Sequence, residues 1–72
     1  MVNVNKLKAK IVERGTNVET IASKIGMDKA TFYRRLANEG STFTIGEADA
    51  ISKELLLTKE EVNAIFFSQF VA

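Results

Sequence analysis

Residues 17–36 read NVETIASKIGMDKATFYRRL. Ile21, Ala22 and Ile25 fall on one face of a short helix, which Gly26 stops because glycine takes the positive φ that ends a helix. A second helix begins two residues later, with Phe32 and Leu36 four apart on its inner face. Two helices joined by so tight a turn must cross. The second one therefore projects Lys29, Ala30, Tyr33, Arg34 and Ala37 away from the core. In outline the stretch is a helix-turn-helix, and the rest of the chain reads as its support.

Upstream, Val4, Leu7, Ile11 and Val12 recur at helical spacing with Lys6, Lys8, Lys10 and Glu13 turned to solvent, and Gly15 closes that helix. The start of the second helix has two candidate caps: Thr16 with Glu19 as a capping box, or Asn17 with Thr20 one residue later. Asp28 is placed to cap the third helix. Residues 38–42, NEGST, have the only loop-like composition in the chain. Thr44 then opens TIGE, a capping box with Glu47 in which Phe43 can staple onto Ala48. Ile45, Ala48, Ile51 and Leu55 form the stripe of the helix that follows. Thr58 repeats the device as TKEE with Glu61, and Leu57 can staple onto Val62. No strand pattern or repeat competes, so the expectation is an all-α single domain over residues 1–72. Its helices are expected at 4–14, 17–25, 28–37, 45–56 and 59–68.

Composition sets further bounds. With 46% apolar and 26% charged residues the chain belongs with globular proteins. It has neither cysteine nor histidine, which removes disulfides, the usual zinc ligands and the commonest general base. Glu60 and Glu61 belong to a helix start and not to a carboxylate dyad, and no glycine-rich phosphate loop occurs. No enzyme activity, metal or cofactor is therefore expected. No apolar run approaches the roughly 20 residues that span a bilayer, and Lys6, Lys8 and Lys10 stand where a signal peptide needs its apolar region. The expected location is the cytoplasm. The net charge of +1 hides an asymmetry: residues 1–40 carry eight basic and four acidic side chains, residues 41–72 two and five. The first half is thus +4 and suits an anionic partner such as DNA, while the second is −3.

In a helix-turn-helix the first turn and outer face of the second helix enter the major groove, where lysine and arginine read guanine. Lys29, Ala30, Thr31, Tyr33 and Arg34 occupy those positions. The tail IFFSQFVA carries more apolar side chains than the fifth helix needs. Val62, Ile65 and Phe66 suffice for its inner stripe, which leaves Phe67, Phe70 and Val71 for a protein contact, a homodimer, or a hook onto the chain's own core. The acidic second half, with Glu47 and Asp49, can face the basic DNA-reading surface of a partner protein.

These residues carry a family resemblance. Residues 17–36 resemble the helix-turn-helix of the Cro and phage-repressor (Xre-like) family, whose pattern I-A-x-x-I-G-x-x-x-x-T-F-Y-R-x-L runs from Ile21 to Leu36. The second half is similar to small regulators of temperate phages of Gram-positive bacteria, among them modulator-of-repression proteins, which are antirepressors. The resemblance implies a five-helix lambda-repressor-like fold and a regulator of a phage lysis/lysogeny switch in the bacterial host cytoplasm. It implies a complex with the phage repressor, with operator DNA bound directly or through that complex. It also transfers the reading role to Lys29, Ala30, Thr31, Tyr33 and Arg34. Two positions depart from the family: Val18 stands where many members carry a DNA-contacting glutamine, and Ile11 with Leu36 replaces a buried Arg–Glu pair, an exchange that need not reduce stability.

Overall fold

In the computed structural model, which describes residues 2–38 and 43–67, each helix starts at a polar residue in extended conformation. The elements are α1 Val4–Glu13, α2 Val18–Lys24, α3 Lys29–Ala37, α4 Ile45–Glu54 and α5 Lys59–Phe66, an all-α chain with no strand among the described residues. Asn3 caps α1 by accepting from the Lys6 amide at 3.1 Å. Asn17 caps α2 by accepting from the Thr20 amide at 2.8 Å, which decides between the two candidate starts. Thr44 and Thr58 form reciprocal capping boxes: Glu47 accepts the Thr44 amide at 2.9 Å and Glu61 the Thr58 amide at 2.8 Å. Asp28 is at the N-cap of α3, but its carboxylate accepts no cap bond. The start of α3 rests on Phe32, which is fully buried.

Three helix ends share one device. After α1, α2 and α4 a residue in the left-handed region reverses the chain: Gly15 at φ 68°, Gly26 at 75° and Leu56 at 54°. In each, the following amide reaches back to a carbonyl five residues earlier, Thr16 to Ile11 at 3.2 Å, Met27 to Ala22 at 2.8 Å and Leu57 to Ser52 at 3.0 Å. These are Schellman ends. The third was expected to continue helically to residue 56, because leucine gives no stop signal. Here Arg14 supplies the missing constraint, donating from Nε to the Leu55 carbonyl at 2.7 Å and from Nη2 to the Leu56 carbonyl at 3.4 Å. The end of α1 thereby caps the end of α4.

The core comprises Leu7, Ile11, Ile21, Ala22, Phe32, Leu36, Ile51, Leu55, Ile65 and Phe66. Ala22, only 1% exposed, lets α2 lie close against its neighbours α3 and α4. Phe32 meets Phe43 edge to face with centroids 5.3 Å apart, a geometry aromatic pairs favour. On the opposite side α1 packs on α5, fastened by the Asn3 amide donating to the Ile65 carbonyl at 2.6 Å. The staple residues Phe43, Ala48, Leu57 and Val62 all pack against this core.

Two residues assigned to inner stripes lie outside. Val12 is 75% exposed and Ile45 is 82% exposed. At 3.6 residues per turn Val12 points about 140° away from Leu7, so Leu7 and Ile11 define the stripe without it. Ile45 is the first residue of α4, and the buried face is completed by Ser52, whose hydroxyl donates to the Ala48 carbonyl at 2.7 Å. Replacing the exposed Leu56 with glycine should raise stability by roughly 0.5–1 kcal/mol, the relief of left-handed strain less the greater chain entropy of glycine. A higher urea midpoint at unchanged slope is the expected reading; a fall would mean that the leucine side chain itself holds the turn.

Candidate nucleic-acid and partner interface

The four residues Ile25 to Asp28 separate α2 from α3. Because Phe32 and Leu36 are anchored in the core, the opposite face of α3 is presented to solvent: Ala30, Tyr33, Arg34 and Ala37 are exposed, and so is Lys29, which falls on the Phe32 and Leu36 side but in the first turn of the helix. Thr31 is half-buried, and its hydroxyl oxygen accepts from Arg34 Nη2 at 3.2 Å. The five residues assigned from sequence to DNA reading thus all lie on α3, four exposed and Thr31 half-buried. The cations among them are Lys29 and Arg34.

Pairing of charges decides what else is available. Lys10 pairs with Glu61, Lys24 with Glu54 at 3.9 Å, and Arg35 with Glu47 at 3.1 Å. Each pair joins a cation of the first half to a carboxylate of the second, so three of the first half's eight cations are turned toward the acidic half. Glu47 both closes the α4 capping box and holds Arg35. Asp49 lies exposed and pairs with Lys53 at 3.0 Å along the same helix. Of the proposed contact residues, Phe67 is 38% exposed and lines a shallow pocket with Ile45, Phe43 and Val2. Phe70 and Val71 lie outside the described residues. Among the described residues, Lys6, Lys8, Lys29, Arg34 and Lys59, with Glu19, Asp28 and Glu60, make no ion pair.

Beside the α3 face runs a groove of about 500 Å³ between α1, the start of α2 and the end of α3. Ile11, Val12, Val18, Leu36 and Ala37 give it apolar walls, and Lys8, Glu19 and Tyr33 line it too. Partial burial, and then the neighbouring Glu19 carboxylate, push the Tyr33 hydroxyl above the ordinary tyrosine range. Sequence reading missed this groove, because it assigned Val12 to the core and treated Glu19 as part of a helix start. The departure at Ile11 and Leu36 was the available signal: with apolar residues there, the floor of the groove is greasy.

No group of metal-binding side chains occurs among the described residues, and no helix of these is long and apolar enough to cross a membrane. No protein-family profile, curated protein or solved structure matches the chain.

The Lys10 ammonium, followed by the Thr58 amide, lowers the Glu61 carboxyl from 4.5 to about 2, while Glu13 and Glu61 raise Lys10. A carboxylate depressed by folding stabilises above its unfolded pKa and loses that contribution as pH falls through the folded one. Stability should therefore fall between pH 4.5 and about 2 in the native chain, and Glu61→Gln should flatten that limb in urea midpoints taken across the range. The raised Lys10 acts at the other end: its contribution is complete below 10.5 and is lost as pH rises through its higher folded value.

Proposed function

We propose that the protein is a transcriptional regulator of a temperate-phage switch, a helix-turn-helix antirepressor that complexes with the phage repressor and contacts DNA within that complex. The observation that carries this reading is an exposed basic α3 face with an unpaired carboxylate beside it. Two exposed cations free of ion pairs, Lys29 and Arg34, stand on a helix held outward by a buried Phe32 and Leu36. That arrangement suits contact with bases and phosphates. Beside it, the first turn of α2 carries Glu19, also without an ion pair, where a phosphate would meet like charge. With a net charge of +1 the chain neutralises few phosphates, so its grip on DNA alone is weak and a protein partner supplies the rest.

The second reading is an autonomous Cro-like operator repressor, and the exposed Lys29 and Arg34 favour it. Titrating a fluorescent operator duplex with the protein, with and without the cognate repressor over a range of salt, separates the two. The antirepressor reading expects binding to DNA alone in the range of non-specific affinities, roughly 10⁻⁴–10⁻⁶ M, and loss of the repressor–operator complex as the protein is added. Tight binding alone that is indifferent to repressor would establish the second reading instead. In either case the double substitution Lys29→Ala with Arg34→Ala should lower the salt slope of any DNA binding by up to about 2, one for each phosphate contact removed.

A further inference from the structure

We infer that the groove between α1, α2 and α3 receives an arginine or lysine side chain of a protein partner, with its aliphatic stem along Val12 and Val18 and its charged head at Glu19 and the Tyr33 ring. The inference rests on the protein-partner reading above and gives it a location.

Three features select that occupant, and a fourth sets its orientation. The walls are apolar, and long basic side chains lay their methylene stems on apolar surface while keeping the head in a polar setting. Glu19 lines this groove as a carboxylate with no intramolecular cation, whereas Glu47, Glu54 and Glu61 each have one. Tyr33, 47% exposed, offers a ring face on which a guanidinium or ammonium gains a cation–π contact. Lys8 lines the same groove without pairing to Glu19, so the groove shows both signs of charge. An occupant with a base against Glu19 and an acid against Lys8 satisfies both, which sets its orientation.

A nucleic acid fits poorly. Its phosphates would meet Glu19, and its sugars and phosphates gain little from walls of valine, isoleucine and leucine. Yet the groove is continuous with the α3 face, because Tyr33 and Ala37 belong to both. A partner seated in it therefore borders the DNA-facing surface and shares Tyr33 with it, while Lys29 and Arg34 lie outside the groove and stay open to DNA within the complex. An acidic residue at the leading edge of a DNA-facing helix is thereby explained as the selector of a cationic protein group.

The test uses the intact ¹⁵N-labelled chain and three probes: a short peptide carrying two arginines around a leucine, the same peptide with glutamates, and a generic 20-base-pair duplex. The arginine peptide should shift the amides of Val12, Val18, Glu19 and Tyr33 saturably. Glu19→Gln should weaken it about 3- to 5-fold, as expected for a largely exposed ion pair, and Glu60→Gln should leave it unchanged. Glu19→Lys should do the opposite for the duplex, raising its affinity several-fold at low salt and steepening its salt dependence. If Glu19→Gln loosens α2, as a falling circular-dichroism signal would reveal, Val12→Lys replaces it. That change at an exposed position sets a like charge beside the incoming head and should also weaken the peptide. Arginine-peptide shifts centred on Asp49 and Glu60, an affinity indifferent to Glu19→Gln and Val12→Lys, or stronger groove shifts with the duplex than with the peptide would each overturn the inference. A repressor complex that forms but ignores Glu19→Gln refutes the groove and leaves the antirepressor reading standing; groove binding of the peptide with no repressor complex does the reverse.

Discussion

The fold depends on three residues held in the left-handed region, Gly15, Gly26 and Leu56. Its helices run from seven to ten residues, too short to be stable alone. They persist only because each reversal, within a connection of four residues, returns the next helix to a shared core. Two of the reversals rest on glycine, which adopts that conformation without penalty. The third rests on a leucine whose carbonyl, with that of Leu55, is held by Arg14. A conformation that leucine disfavours locally is thus maintained by a bond from a residue more than forty positions away, which also locks the ends of α1 and α4 together.

Ionic pairing follows from that architecture. Once α4 and α5 fold back on α1 to α3, the carboxylates of the acidic half come within reach of the cations of the basic half, and three pairs form across the divide. Lys24 and Glu54 form an exposed pair that contributes little stability, whereas the other two pairs are partly buried. The larger consequence of all three is subtraction: they remove Lys10, Lys24 and Arg35 from the basic surface and Glu47, Glu54 and Glu61 from the acidic one. The cations that stay free include Lys6 and Lys8 on α1 and Lys29 and Arg34 on α3. The electrostatic character of the molecule therefore belongs to those helices, and a docking surface on the acidic half has fewer free charges than its composition suggests.

Much of the fold was legible in advance. Capping boxes at Thr44 and Thr58, glycines at 15 and 26, and the inner pair Phe32 and Leu36 each encode their structure locally, through side-chain bonds three residues away or through the permitted φ of one residue. Helix ends were less legible where the stop came from elsewhere, as at Leu56. The candidate site was half legible. Its α3 face follows from which residues are inward, and that was readable from spacing. The groove was not, because its walls come from α1, α2 and α3 together and their separation is set by tertiary packing, although the spacing from Leu7 already turned Val12 outward.

The sequence by itself determined the all-α class, the starts of α4 and α5, the inward face of α3 and, with it, the outward set Ala30, Tyr33 and Arg34. These are properties of residues within one turn of each other. Only the tertiary structure decided which charges cancel, that Ile45 stays in solvent, that Arg14 restrains Leu56, and that Glu19 and Tyr33 line the edge of an apolar groove. Each of those depends on distances between helices, which no local spacing encodes.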